Sequence, residues 1–270
     1  MSAEIMSVEN QILLECKNVR VSVPGRLLVD ELELSLQRGE FLAILGQNGA
    51  GKTLTLTTLA GLREPDCGQV LLQGENILQR DRLRTAQQLA LLPQVIDDIF
   101  PATVVDTALI GRHPHIGRFR WESAEDFAIA NEALRTMGLE EMSTRDVLTL
   151  SGGERRRLAI AQVLTQAPQV YLLDEPTNHL DPQHQLDTLR VFRQAADAGA
   201  GIIASVHDAN MAVRFADRCL LLYGDGHWEI GRSEDVLTES KLSELFATKM
   251  EAVAWRNHKL FVATSGHPTL

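Results

Sequence analysis

A glycine-rich segment of eight residues, 46–53 (GQNGAGKT), constrains the fold of this chain more than any other feature. It fits the pattern G-x-x-x-x-G-K-[ST], in which bare glycine backbone lets N–H groups converge on phosphate oxygens. The apolar run before it, residues 41–45, predicts a buried strand, and residues 54–60 after it predict a helix whose N-terminus adds partial positive charge. The segment therefore predicts an α/β domain that binds a nucleotide, with Lys52 on the β- and γ-phosphates and the Thr53 hydroxyl on Mg²⁺.

Composition argues against several other classes of protein. The chain has 270 residues and a formal net charge of −10, so it has room for a large core and no nucleic-acid partner is expected. Its three cysteines, Cys16, Cys67 and Cys219, lack C-x-x-C spacing, which predicts buried thiols in a reducing compartment. The sequence shows no secretory signal and no apolar run near the ~20 residues that span a bilayer. If the protein serves transport, another chain must supply the membrane path.

Hydrophobic patterning divides the chain into three parts. Residues 11–46 read as strands, residues 95–166 read as a helical insert, and an α/β alternation resumes after the insert. Predicted strands lie at 12–16, 19–23, 32–36, 41–45, 69–72, 90–92, 170–173, 202–206, 219–223 and 227–230, and predicted helices at 54–60, 104–110, 127–134, 151–164 and 183–198. Asp225-Gly226 predicts a hairpin between the last two of those strands. Residues 248–262 predict a small strand pair, and the first ten and last five residues are expected to be loose.

Two acids follow an apolar strand at Leu172-Leu173-Asp174-Glu175. An Asp at the carboxyl end of a strand beside the glycine loop holds Mg²⁺ directly or through water, and Glu175 polarises a water for attack on the γ-phosphate. The alternative is an acidic strand-to-loop turn.

A second glycine pair occurs in Leu150-Ser151-Gly152-Gly153-Glu154, which opens a helix. Ser-x-x-Glu is a capping box, which is one reading of this segment. However, a capping box does not require two consecutive glycines, which lower helix propensity in the first turn. Bare backbone there favours a site where an anion approaches the helix N-terminus. The two readings are compatible.

The order of these motifs resembles that of the ATP-binding cassette (ABC) ATPases. The order is the glycine loop, Gln94, LSGGE, LLDE, residues 178–181 (NHLD) and His207, and the resemblance covers roughly residues 11–245. LSGGE separates this family from other glycine-loop NTPases. The resemblance implies an α/β fold, a P-loop NTPase ABC cassette with a RecA-like core, an N-terminal antiparallel β-subdomain and an α-helical insert. It places the ATPase domain at 11–247, with a flexible segment at 1–10 and an accessory segment at 248–270.

The resemblance also implies roles for individual residues in binding ATP and Mg²⁺ and in hydrolysis. Triphosphate is expected on Gly46, Gln47, Asn48, Gly49, Ala50, Gly51, Lys52, Thr53 and Leu54. Thr53, Gln94 and Asp174 are the expected magnesium ligands. Glu175 is the expected general base, Gln94 also touches the attacking water, and His207 contacts the γ-phosphate.

By the same resemblance, one chain holds only half of each active site. Ser151, Gly152, Gly153 and Glu154 are expected to act on the nucleotide of a second subunit, and Asp181 lies in a loop that couples the two sites. Two copies then pack head to tail about a two-fold axis and bury two ATP molecules.

Two positions depart from the family pattern. Members of the family often have an aromatic residue that stacks on adenine, but the stretch around Val23 has none, and Val23 offers apolar contact only. The second departure is Glu154, at a position where Gln is commonest. A negative charge near a phosphate site carries an electrostatic penalty.

Several other charged or polar residues are expected to lie on the surface. The run Arg155-Arg156-Arg157 is expected on the solvated face of its helix, and His179 and His184 on the surface. The spacing His113-Pro114-His115 has no nearby acid or cysteine that completes a metal site.

Residues 100–104 (FPATV) and 111–115 (GRHPH) resemble the ATPase subunits of importers for iron–siderophore, haem, cobalamin and related metal chelates. That resemblance implies an ATPase beneath integral membrane permease subunits, on the cytoplasmic face of the membrane, served by a periplasmic or extracellular substrate-binding protein. The alternatives are a cassette ATPase uncoupled from transport, for example in iron–sulfur assembly, and an exporter ATPase.

Overall fold

The computed structural model describes residues 11–95, 101–117, 120–256 and 258–264. The strands in these residues are β1 (Ile12–Val23), β2 (Arg26–Gln37), β3 (Phe41–Leu45), β4 (Cys67–Leu72), β5 (Glu75–Asn76), β6 (Leu89–Leu92), β7 (Val170–Leu173), β8 (Gly201–Ser205), β9 (Arg218–Leu222), β10 (Trp228–Arg232), β11 (Met250–Trp255) and β12 (His258–Ala263). The α-helices are α1 (Lys52–Leu59), α2 (Arg82–Gln88), α3 (Val104–Leu109), α4 (Ala124–Thr136), α5 (Gly152–Gln166), α6 (Pro182–Asp197), α7 (Ala209–Phe215), α8 (Ser233–Val236) and α9 (Glu239–Phe246). Short 3₁₀ helices span Ile110–His115, Glu140–Met142 and Val147–Thr149.

A six-stranded sheet forms the centre of the fold, in the order β10-β9-β3-β8-β7-β6. Strands β9, β3, β8, β7 and β6 are parallel, and β10 joins antiparallel through a hairpin with β9, as Asp225-Gly226 predicted. The segments that follow β3, β6, β7 and β8 therefore leave from one edge of the sheet. Ligand crevices in open parallel sheets lie at this carboxyl edge.

Both faces of the central sheet are covered, which explains why β3 is apolar at every residue. Phe41, Ala43 and Leu45 belong to one core cluster with the helices after β6. Leu42 and Ile44 belong to a second cluster with β1, β2, β4 and α1. All five side chains are at most 1% exposed. A strand buried on both faces reads as a continuous apolar run rather than an alternation.

A second, antiparallel sheet runs in the order β2-β1-β4-β5. Sequence patterning predicts two strands, at 12–16 and 19–23, but the structure has one strand, β1. Pairing with β2 shifts register between Cys16 and Val19, where Asn18 adopts a φ of 52°. The polar break is thus a bulge inside a strand. The expected α/β fold with an antiparallel β-subdomain and helical segments is confirmed.

The structure adds helices that the sequence patterning missed, α2, α7, α8 and α9. The strand pair expected after residue 248 is present as β11 and β12. Asn210 on α7 anchors it, since its Oδ1 accepts from the Phe261 N–H at 2.7 Å and its Nδ2 donates to the Phe261 carbonyl at 3.1 Å. The segments expected to be loose, residues 1–10 and 266–270, lie outside the described residues.

A helix needs about 20 predominantly apolar residues to span a bilayer. Across the described residues, no helix has both that length and that apolar character.

Candidate nucleotide-binding site

The glycine loop lies between β3 and α1, as predicted. Gly51 is the N-cap of α1 and has a φ of 103°, a conformation that L side chains rarely adopt. A Cβ on Gly46 would lie 2.5 Å from the carbonyl oxygen of Leu222 in β9. Glycine is therefore required at both ends of the loop, for conformation at Gly51 and for close approach at Gly46.

Lys52 is folded into the loop rather than extended into solvent. Lys52 is only 5% exposed, and its Nζ donates to the carbonyl oxygens of Gly46 at 2.7 Å and Gln47 at 3.2 Å. Burial lowers the pKa of Lys52, while the charges of Glu175 and Asp174 act in the opposite direction. The loop thus holds a desolvated cation whose hydrogen bonds to carbonyl groups are exchangeable for bonds to phosphate oxygens.

Asp174 and Glu175 follow β7 and are both buried. Ser205, at the end of β8, links them: its Oγ donates to Asp174 Oδ1 at 2.7 Å and accepts from the Glu175 N–H at 2.8 Å. Glu175 has a φ of 48°, which is uncommon for a residue with a side chain. The neighbouring strand therefore holds the two acids in place and supports an unusual backbone at Glu175.

Four polar side chains meet at the Glu175 carboxylate, and we call them the Glu175 cluster. They are the predicted site residues Gln94, Glu175 and His207, together with Asn178. Gln94 Nε2 donates to Glu175 Oε2 at 2.9 Å, and Asn178 Nδ2 donates to the same oxygen. His207 Nε2 lies 2.5 Å from Glu175 Oε1. The structure thus brings Gln94, Glu175 and His207 together, with Gln94 and His207 bonded to the carboxylate.

Arg156 corrects the sequence interpretation. It was expected on a solvated helix face, but it is 3% exposed, and its guanidinium donates to the carbonyls of Pro93 at 2.6 Å, Asp174 at 2.6 Å and Glu175 at 2.7 Å. Burial lowers its pKa to about 10, against the charges of Asp174 and Glu175. Helical spacing could have predicted this burial, because Arg156 lies on the same face of α5 as the buried residues Ile160 and Val163.

Ser205 and Asn178 are the other residues of the site that sequence reasoning missed. Ser205 stands out as a polar residue at the end of an otherwise apolar strand, and buried polar groups need partners. Asn178 belongs to the segment NHLD, but its contact with Glu175 depends on the turn between them.

A cavity of about 470 Å³ opens beside the loop. It is lined by Val23, Arg26, Leu28, Asn48, Gly49, Gly51, Lys52, Thr53, Leu54, Gln94 and Glu175. Gly46 and Ala50 are buried, and Gln47 is exposed.

The donors near this cavity fit a magnesium ion bound together with phosphate. Thr53, Gln94 and Asp174 offer oxygen atoms, which Mg²⁺ prefers. Over the described part of the chain, no group of three or more His, Cys, Asp or Glu side chains is placed to hold a metal. Mg²⁺ is commonly held by one or two carboxylates plus substrate phosphates rather than by an all-protein cage.

The signature segment, residues 151–154, does not line this cavity. Ser151 caps α5 in a complete capping box: the Glu154 N–H donates to Ser151 Oγ at 3.3 Å, and Glu154 Oε2 accepts from the Ser151 N–H at 2.7 Å. These bonds lower the pKa of Glu154. Ser151 and Gly152 are exposed, and a Cβ on Gly152 would meet nothing within 4 Å. The structure therefore bears out the capping box and leaves the glycine backbone open.

Asp181 and the histidines of the sequence prediction also lie away from the cavity lining. Asp181 caps α6, with its Oδ1 accepting from the His184 N–H at 3.0 Å and its Oδ2 2.7 Å from His184 Nδ1. His115 Nε2 donates to the Gln166 carbonyl at 2.8 Å, so this ring serves packing against α5. His179 is exposed, as expected. Phe100, the first residue of the segment 100–104 that resembles chelate importers, lies outside the described residues.

Comparison with known proteins gives one family. A family model described as ABC transporter matches residues 29–178. The "Hemin import ATP-binding protein HmuV" of Pseudomonas fluorescens (strain Pf0-1) is 38% identical over 259 residues, which are 93% of this chain and 100% of the relative. The "Cobalamin import ATP-binding protein BtuD" of Halobacterium salinarum is 34% identical over 239 residues, 88% of this chain, and the chain spans 59% of that relative's length.

Solved structures agree with the sequence comparison. A chain of a metal-chelate type ABC transporter in an inward-facing conformation has a TM-score of 0.82 and is 27% identical. The superposition covers 94% of this chain and 98% of that chain.

Proposed function

This chain belongs to the ABC transporter family, and within it we propose that the protein is the ATP-hydrolysing subunit of an importer for a metal chelate. The proposed cargo class is iron–siderophore, haem, cobalamin or a related chelate. The observation that carries the proposal is the 38% identity to a hemin import ATP-binding protein, which extends over that relative's whole length. The likeness to a metal-chelate type transporter supports it independently.

The proposed chemistry is in-line hydrolysis of ATP in the cavity beside the glycine loop. Lys52 and the loop N–H groups bind the triphosphate, with Leu54 at the cavity wall. Thr53, Gln94 and Asp174 would hold Mg²⁺ together with the nucleotide, and the ion would supply positive charge to neutralise the charge that develops on the phosphates. Glu175 accepts a proton from the attacking water. Gln94 and His207 contact the Glu175 carboxylate, and we expect Gln94 to orient that water and His207 to contact the γ-phosphate.

We further propose that the working unit is a head-to-tail homodimer. The support is geometric: Ser151 and Gly152 are exposed and Gly153 is half-buried, and the Gly152 and Gly153 N–H groups lie at the start of α5, away from the chain's own cavity. Packed against a second copy, this segment completes the partner's nucleotide site, with Glu154 holding the capping box and Asp181 in the coupling loop.

The remaining partners follow from the proposed transport role. Integral permease subunits receive the homodimer on the cytoplasmic face of the membrane, and a periplasmic or extracellular protein delivers the chelate. Residues 111–115, one of the two segments that resemble chelate importers, contact α5: Arg112 donates to the Thr165 carbonyl and His115 donates to the Gln166 carbonyl. Movement of the bound permease is thereby linked to the helix that presents the signature segment.

Uptake into proteoliposomes tests this function. The protein is reconstituted with the permease that co-purifies with it, and uptake of labelled haem, cobalamin and ferric siderophore is measured with ATP inside the vesicles. We expect ATP-dependent accumulation of one of these chelates by the wild-type protein and none by Glu175→Gln. A protein that co-assembles with no permease, or whose deletion leaves chelate uptake in cells unchanged, would refute the importer assignment. Release of label from preloaded vesicles would instead indicate an exporter.

A further inference from the structure

The cavity beside the glycine loop has a part that phosphate chemistry does not explain. Lys52 and Thr53 belong to the phosphate-binding loop, but Val23, Arg26 and Leu28 come from the β1–β2 hairpin. Leu28 packs directly on the loop, since a Cβ on Gly51 would lie 3.1 Å from Leu28 Cβ. Val23 and Arg26 lie farther along the hairpin and pair with each other across the Pro24-Gly25 turn. A nucleotide whose phosphates occupy the loop therefore extends its base toward Val23 and Arg26.

Among the residues that line the described cavity, none has an aromatic ring. Val23 is 37% exposed and Leu28 is buried, so these two side chains offer limited apolar contact. Arg26 is different because its guanidinium is planar and delocalised, and such planes stack on nucleobases.

Arg26 is held in place by the turn that follows β9. Its Nε donates to the carbonyl oxygen of Gly224 at 2.8 Å. Gly224 has a φ of 80°, and a Cβ there would lie 2.8 Å from Arg26 Nη2 and 3.0 Å from the Cα of Ala50 in the glycine loop. The guanidinium is thus fixed along one edge, close to the loop. An edge-on hydrogen bond leaves the planar face available for stacking.

We infer that Arg26 is the residue that stacks on the nucleotide base, in place of an aromatic side chain. This inference rests on the proposed ATP site. A stacked guanidinium contacts the flat face of a base and not its hydrogen-bonding edge. Since every base has such a face, the contact depends on the size of the base. The site then binds ATP and GTP with similar affinity and binds CTP more weakly.

Calorimetric titration of ATP, CTP and inorganic tripolyphosphate separates base contacts from phosphate contacts. For Arg26→Ala we expect ATP to bind about five- to tenfold more weakly, the range that stacking and cation–π contacts support, with tripolyphosphate unchanged. Arg26→Lys keeps the charge but not the plane, so it should behave like Arg26→Ala. Arg20→Ala is the matched control, since Arg20 lies on the same hairpin and is bonded to Asp30 at 2.6 Å, outside the cavity lining.

Among the single variants, three results would overturn the assignment: equal weakening of ATP and tripolyphosphate, full ATP affinity in Arg26→Lys, or no change in Arg26→Ala. If Arg26→Ala disturbs the hairpin, the double variant Val23→Tyr/Arg26→Lys decides. A lysine at position 26 keeps a donor for the Gly224 carbonyl, and a ring opposite it should restore ATP affinity without changing tripolyphosphate affinity. Failure of the rescue counts against a stacking role. A wild-type protein that binds tripolyphosphate and ATP equally also refutes stacking, whereas one that binds neither refutes the proposed ATP site itself.

Discussion

The Glu175 cluster and the signature segment differ in how much of their structure a single chain completes. In the cluster, both carboxylate oxygens of Glu175 are bonded to other side chains, and Ser205 and Arg156 hold the surrounding backbone. In the signature segment, Glu154 satisfies the Ser151 N–H, and Gly152 faces open space. Contacts within the chain assemble the first region, whereas the second leaves the backbone at Gly152 exposed. This difference is the structural basis for expecting a second subunit.

The largest effect should come from neutralising the acid of the cluster. Glu175→Gln should lower ATP turnover about a thousandfold, within the range for loss of a general base, and leave ATP binding intact. Since hydrolysis would no longer separate the subunits, the variant should run as a dimer with ATP and Mg²⁺ in light-scattering chromatography. Glu234→Gln, at a side chain that is 76% exposed, is the control and should match the wild type. Wild-type turnover by Glu175→Gln would mean that another group is the base.

The next effect tests the signature segment. Ser151→Arg should lower turnover several hundredfold, as expected when donors to a reacting phosphate are lost, while nucleotide affinity of the separate chain stays the same. Ser123→Arg is the matched control because Ser123 caps α4 in the same kind of capping box.

Mixing two inactive variants sharpens this test. A dimer of one Ser151→Arg chain and one Lys52→Ala chain contains one site with an intact loop and an intact signature segment. Equimolar mixing should therefore recover about a quarter of the wild-type rate if the two sites act independently. Normal turnover by Ser151→Arg alone would contradict a role for this segment in the partner's site.

A third variant breaks the link between the two regions. Arg156 on α5, the helix of the signature segment, bonds the backbone of Asp174 and Glu175. Arg156→Ala removes a charged side chain that donates to both carbonyls and fills a buried site, so it should lower the free energy of unfolding by about 3 kcal/mol in urea titration. Arg135→Ala, at a side chain that is 60% exposed and bonded to Glu132, should change it by less than about 0.5 kcal/mol. Equal stability of the two variants would show that Arg156 does not join the regions.

The smallest effect concerns the helices that support the signature segment. Asp126 accepts from Arg112 Nε at 2.8 Å and from the Ser123 hydroxyl and N–H at 2.7 and 2.9 Å, and these bonds lower its pKa to about 2. A carboxylate with a lowered pKa stabilises the fold above its unfolded value near 3.8, and this contribution is lost as the pH falls through 2.

Asp126→Asn should therefore lower the free energy of unfolding by about 1 kcal/mol at pH 7, with a difference from wild type that shrinks between pH 4 and pH 2. Asp187→Asn, at a side chain that is 48% exposed, is the control and should show little change. A pH-independent difference would assign the effect of Asp126 to packing instead of charge.

The motif residues could be predicted from the sequence because each motif is a short, continuous segment of the chain. The glycine loop, the Asp174-Glu175 pair and the capping box each occupy a few consecutive residues, so spacing alone placed them. The helices that sequence reasoning missed have between four and eight residues, too few turns to establish a periodicity. The break predicted in β1 was wrong because a bulge at Asn18 looks like a loop in sequence.

The sequence by itself determined the α/β fold, the glycine loop and the identities of the acids, because strand and loop patterns report local backbone requirements. Only the tertiary structure showed that Arg156 is buried, that Ser205 joins Asp174 to Glu175, and that Asn178 bonds the Glu175 carboxylate. These contacts join segments that are far apart in sequence and come together at the carboxyl edge of the central sheet. The spacing of residues along one strand or helix therefore does not predict them.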